Sequence, residues 1–220
     1  MNKLFTIILF FNFLSLHAQI TEPVYKNQVK WSPFRLMDIR NPGLEISYER
    51  IYAKKHSTQL ALAYMTDPLQ ATDFKNYEGG RIALEQKYFY MRKKYLATYF
   101  SAELVYSKTK FEQTSRFVNT TGGYYAHNYS QSYVDTFSVN KQMFTFNLKG
   151  GIQFTLKHVM FDFCAGLGLK YRDIENAHRF NSKDLPYAPI DLNVNYIGNN
   201  LAKHGYTITI PLNAKVGFLF

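Results

Sequence analysis

Apolar and polar positions alternate along most of this chain. From Tyr206 to Phe220 every second residue (Tyr206, Ile208, Ile210, Leu212, Ala214, Val216, Phe218, Phe220) is apolar or aromatic, and the intervening set is Thr207, Thr209, Pro211, Asn213, Lys215, Gly217 and Leu219. A period of two held this long predicts a strand with one face in an apolar medium and the other in polar surroundings. The pattern recurs upstream. Residues 44–52 set Leu44, Ile46 and Tyr48 against Glu45, Ser47 and Glu49, and residues 57–66 set Leu60, Leu62 and Tyr64 against Gln59, Ala61 and Ala63. Residues 81–91, 95–110, 138–156 and 159–171 repeat it, with Phe161, Phe163, Ala165, Leu167 and Leu169 facing away from Asp162, Cys164, Gly166 and Lys170 in the last. Residues 29–38 make a weaker strand, because Pro33 withholds a ladder donor.

The expectation is therefore eight strands. Their connections alternate in length: short at 53–56, 92–94 and 157–158, long at 67–80, 111–137 and 172–205. An all-β, up-and-down antiparallel barrel requires this alternation, with short turns and both termini at the periplasmic end and long loops outside. A soluble, lipocalin-like barrel also alternates, but with the apolar set turned inward around a ligand. The polar set argues against that arrangement. It holds Glu45, Glu49, Glu85, Glu103 and Asp162 as acids and Arg81, Lys87, Lys149, Lys170 and Lys215 as bases, a balanced set able to pair across a narrow lumen. The apolar set carries tyrosines toward the strand ends (Tyr48, Tyr64, Tyr88, Tyr90, Tyr95, Tyr106, Tyr171, Tyr206), as the interfacial girdles of a transmembrane barrel do.

Composition changes this picture little. The 220 residues include 18 Tyr and 19 Phe, and 26 Lys plus Arg against 16 Asp plus Glu give a formal charge of +10. The basic residues form no stripe or arm, so nucleic acid is not the expected partner. Cys164 is the only cysteine, which excludes an intrachain disulfide and a cysteine-based zinc site. Residues 1–18 read as a signal peptide: Lys3, an apolar run, then Leu16-His17-Ala18, with the cut after Ala18 or Gln19. Residues 19–28 are expected to be a short periplasmic segment and 29–220 the barrel.

The leader, the Gly43-Leu44-Glu45-Ile46-Ser47-Tyr48-Glu49 run, residues 81–90 and the terminal Lys215-Val216-Gly217-Phe218-Leu219-Phe220 carry a resemblance. Over residues 28–220 the chain resembles the eight-stranded OmpA/OmpX-type outer-membrane barrels, and more closely small outer-membrane proteins of Gram-negative bacteria in which the barrel is the whole protein. The resemblance implies an outer-membrane location, contact with membrane lipid and lipopolysaccharide, and a terminal aromatic signal (Phe218, Phe220) read by the barrel-assembly machinery. It carries no catalytic motif, and fold likeness does not transmit function.

Eight strands leave an interior that side chains fill, so a pore is not expected and the lumenal charges are expected to pair. No cofactor or metal is expected. His56 and His158 fall in tight turns, while His127, His178 and His204 fall in loops without metal-ligand spacing. The function expected is non-enzymatic: envelope structure, or contact with an extracellular protein or glycan through the long loops. Phe117, Tyr124, Tyr125, Tyr129 and Tyr133, around Gly122-Gly123, are the contact candidates, since tyrosine offers area at low entropic cost. Two alternatives stand beside it. One is a lipid-modifying hydrolase or acyltransferase at the rim, for which His204, Ser182 and Asp184 are the candidate cluster. The other is a narrow solute channel.

Overall fold

In the computed structural model, residues 25–33, 43–66, 74–118, 132–181, 184–186 and 203–220 are described. The expected signal peptide (residues 1–18), Tyr124, Tyr125, Tyr129, Gly122-Gly123, His127 and Ser182 lie outside them. The strands are β1 (Asn27–Trp31), β2 (Gly43–Ala53), β3 (His56–Met65), β4 (Phe74–Arg92), β5 (Leu96–Val118), β6 (Ser132–Leu156), β7 (Val159–Ala177), the two-residue β8 (Leu185–Pro186), β9 (Lys203–Thr209) and β10 (Leu212–Leu219).

All pairings are antiparallel, and neighbours in sequence are neighbours in space from β1 to β7. β9 and β10 share one register on β7 (Thr209↔Gly168, Leu212↔Ala165), so together they form a single eighth stave. The ladder is interrupted at Pro211, which has no N–H to give, though its carbonyl still accepts from Gly166 N at 3.0 Å. β10 then pairs with β1 from Gln28↔Leu219 to Trp31↔Val216, which closes the ring. Asn27 and Phe220 exchange both backbone hydrogen bonds at the seam, at 3.1 and 3.0 Å. β10 thus closes the ring at the end bearing the short turns, where its backbone groups are paired on both sides, as strands that cross a bilayer require.

The alternation decides the two faces. Phe163 (48 % exposed), Ile208 (80 %) and Ile210 (69 %) point outward, whereas Glu103 and Lys149 (5 % each) point to the axis. Tyr95, just before β5, and Phe100, Leu104 and Tyr106 in the outward column of that strand are exposed. The eleven residue steps from Tyr95 to Tyr106 correspond to about 28 Å along the membrane normal at ~3.3 Å per residue and ~40° tilt. That matches a hydrocarbon core. Beyond Tyr106 the same column continues Lys108, Lys110, Glu112 and Arg116, so the outer face turns polar where the belt ends. An apolar outside around a charged inside makes this a membrane-spanning barrel.

Several boundaries differ from expectation. β1 begins two residues earlier, at Asn27, and stops at Trp31 just before Pro33. The connections expected at 67–80, 111–137 and 172–205 are shorter, because β4 starts at Phe74, β5 runs to Val118, β6 starts at Ser132, β7 runs to Ala177 and β9 starts at Lys203. The reason is that alternation continues there with inward aromatics (Phe111, Phe117, Phe137), which a composition rich in Tyr, Ser and Asn conceals. The pairs from Thr114↔Thr136 to Val118↔Ser132 extend past the ends of β4 and β7 as a protruding hairpin.

Candidate functional site: the filled lumen and its capped mouth

The lumen is stratified. At the end bearing the short turns, Phe89, Ala97 and Tyr99 form an apolar layer, with the Phe89 and Tyr99 rings 5.6 Å apart. A bulge between Phe89 and Met91 turns Arg92 inward, where its guanidinium lies 3.8 Å from the Phe89 ring centre and donates to the Lys54 carbonyl at 2.8 Å.

Above this layer two ionic clusters follow. In the lower, Lys30 contacts Glu49 and Asp162 (2.6 Å), while Lys87 contacts the same two acids at 3.0 and 2.7 Å. Cations and anions thus alternate around a four-membered ring. Tyr99 donates to Asp162 at 2.6 Å, Gln153 donates to it at 3.1 Å, and Ser57 donates to Glu49 at 2.5 Å. In the upper cluster, Lys149 bridges Glu85 (2.9 Å) and Glu103 (3.1 Å), Arg81 bridges Glu45 and Glu103 (3.7 Å), and Lys215 reaches Glu45 at 3.2 Å. Ser101 and Gln59 donate to Glu85, and Asn147 donates to Glu103.

Nine of the ten residues expected in the lumenal network meet in these clusters: Glu45, Glu49, Arg81, Glu85, Lys87, Glu103, Lys149, Asp162 and Lys215. Lys170 is half-buried higher up, on the wall of a cavity of about 290 Å³. The base that completes the balance is Lys30, which the weak pattern around Pro33 had hidden. Its signal was parity, since Lys30 alternates with the outward Val29 and Trp31. Tyr99 was also missed, being an aromatic on the polar parity of its strand.

Glycines make room for these long side chains. A Cβ on Gly151 would collide with the Tyr99 ring, and one on Gly217 would come within 2.9 Å of the Lys30 stem. Gly150-Gly151 and Gly166-x-Gly168 lie inside β6 and β7 as wall, close against neighbouring chains, with no helix to complete a phosphate cradle. Cys164 is half-buried and packs against the lower apolar layer.

The cavity separates the ion pairs from a second apolar layer. Its walls include Arg81, Glu103, Lys149, Lys170, Asn147 and Ser107. Over it lie Met65, Tyr77, Phe111, Phe117, Phe137, Val139 and Ile174. Phe117, expected as a surface contact, is 0 % exposed within this plug, because its parity on the extended β5 points it down the axis. Tyr133 packs half-buried against the plug and donates to Asp184 at 2.8 Å. Burial and that hydrogen bond push the Tyr133 phenol up to about 12.

The chain beyond β7 returns across the mouth. Arg179 stacks 4.6 Å over Phe117 and 5.8 Å from Phe137 and donates to the Asp184 carbonyl at 2.9 Å. Leu185–Pro186 then pair with β5 at Val118 and Phe117. Of the rim cluster considered from sequence, Asp184 is buried on Tyr133 and Arg179, and His204 Nδ1 lies 3.3 Å from Asp173. The two hold different partners. His158 stacks on Phe218, 5.8 Å between centres, and His56 lies between Tyr52 and Tyr88. Phe218 and Phe220 face outward at the seam.

Neither a protein-family model nor a curated protein matches the chain. Among solved structures the chain is similar to a major outer membrane protein from Thermus thermophilus, at 10 % identity and a TM-score of 0.41, over 90 % of this chain and 100 % of that one. The strand ring and the apolar belt establish the membrane barrel independently of that likeness.

Proposed function

We propose that this is a non-enzymatic outer-membrane barrel whose lumen is a structural filling, and whose role is envelope structure or surface interaction through its hairpin end. The observation that carries the reading is the stratified interior. Two apolar layers bracket five acids and five bases that neutralise one another, so a hydrated ion meets no continuous polar path. Ion pairs matched in this way suit a filling, because an unpaired buried charge is costly. The separate engagements of Asp184 and His204 favour this reading over a rim hydrolase or acyltransferase.

In this reading both termini and the short turns face the periplasm, Phe218 and Phe220 are the signal for the barrel-assembly machinery, and the β5–β6 hairpin stands outside. There it is available to an extracellular protein or glycan through Arg116, Val134 and Thr136 on its outer face. No cofactor is required. The test reconstitutes the protein, with folding verified by heat-modifiable gel mobility, in planar bilayers. Silence at ±100 mV is expected, and reproducible open steps would overturn the filled-lumen reading. Protease cleavage of the hairpin on intact cells, without cleavage of the 53–56 turn, is expected; the reverse would invert the orientation.

A further inference from the structure

We propose that the outer face of the rim formed by β4, β5 and β6, centred on Lys108 and Lys110, binds the phosphate groups of phosphorylated glycolipid in the outer leaflet. The inference rests on the orientation proposed above, with the hairpin end outside.

The placement follows from the strand geometry. Lys108 and Lys110 are the next two outward residues of β5 after Tyr106, the last aromatic of the belt. Each two-residue step lifts the backbone by about 5 Å along the normal at ~3.3 Å per residue and ~40° tilt. The two ammonium groups therefore lie within roughly 5–10 Å of the hydrocarbon edge, where headgroup phosphates lie. Both side chains are exposed, and neither forms an ion pair among the described residues. They contrast with the inward Lys30, Lys87, Lys149 and Lys215, each held by acids.

The neighbours on either side leave space and polarity. Across β4, Lys108 faces Gly80, which offers no side chain and leaves the wall open beside the ammonium. Across β6 it faces Gln142, whose side-chain oxygen accepts from Tyr106 Oη at 3.3 Å, and Lys110 faces Asn140. Glu78 opposes Lys110, and Glu112 opposes Lys75. Counting Lys75, Lys108, Lys110 and Arg116 against Glu78 and Glu112 leaves this face with a surplus of two positive charges. The outward face of β7 at the same end carries Asp173 and Glu175 instead. The rim is thus polarised, and anionic headgroups are drawn to the β4–β6 side.

The experiment uses native mass spectrometry on the folded full barrel with diphosphoryl lipid A and with its dephosphorylated form. The wild-type protein is expected to retain the diphosphoryl lipid at least threefold better than the dephosphorylated one. Lys108→Gln with Lys110→Gln is expected to erase that preference, and Glu78→Gln to increase it. A preference unchanged in the double variant, or none in the wild type, would overturn the site. Every variant is first shown to fold by heat-modifiable mobility. Orientation is read separately, by labelling Arg116→Cys in a Cys164→Ser background with a membrane-impermeant maleimide on intact cells. No labelling alongside an intact phosphate preference would move the site to the inner leaflet and overturn only the outer-leaflet assignment.

Discussion

Lys30→Met tests the idea of a neutral ionic filling most directly. Lys30 reaches both Glu49 and Asp162 from β1, and the side chains of all four ring members are 3 % exposed or less. Removing its ammonium leaves one anion in excess among buried groups, and breaking a buried pair in this way costs about 3–5 kcal/mol. Methionine occupies nearly the same volume, so little of the loss comes from packing. With a urea slope of about 2 kcal/mol per molar, the unfolding midpoint falls by about 1.5–2.5 M. Adding Asp162→Asn removes one charge of each sign and leaves the Lys87–Glu49 contact at 3.0 Å intact. The double variant is then expected to be more stable than the sum of the two single losses predicts, by about 1–3 kcal/mol. Trp31, the only tryptophan, faces outward beside Lys30 and reports departure from lipid by its fluorescence, so urea unfolding in phospholipid vesicles reads the outcome. A midpoint for Lys30→Met within about 0.5 M of wild type, or strict additivity in the double variant, would refute the reasoning.

Three further outcomes follow from the packing and the seam. Gly151→Ala drives a methyl into the Tyr99 ring and is expected to cost about 1–3 kcal/mol in the same urea assay; in a Tyr99→Ala background the added cost should vanish. Deleting Phe220 removes both backbone hydrogen bonds to Asn27 as well as the terminal aromatic, and is expected to cut the heat-modifiable, membrane-inserted fraction several-fold. At the mouth, the folded Tyr133 phenol lies near 12 against 10.0 unperturbed, so its contact with Asp184 is fully present below pH 10 and lost as pH rises through 12. Spectrophotometric titration should show one more tyrosine ionising in the ordinary range in Asp184→Asn than in the wild type.

Much of this architecture is legible in the chain alone. A side chain two positions along a strand returns to the same face, so the parity of Phe163, Ile208 and Glu103 already separates lipid from lumen. Strand count and turn alternation follow from the same local rule, and nine of the ten expected lumenal charges fall into place by parity. Which charges meet is another matter. Lys30 and Asp162 are 132 residues apart, and their contact depends on the closing register between β1, β10 and β7, which no local pattern encodes.

The mouth shows the limit most clearly. The composition around Phe117 and Tyr133 has the character of a contact loop, yet the β5–β6 ladder carries Phe117 into a plug and the return of Arg179 and Asp184 covers it. Local periodicity is a property of consecutive residues, so the sequence determined the faces, the strands and the medium. The partners of each buried charge, the two apolar stops and the capped mouth depend on where the ring closes, and only the tertiary structure decided them.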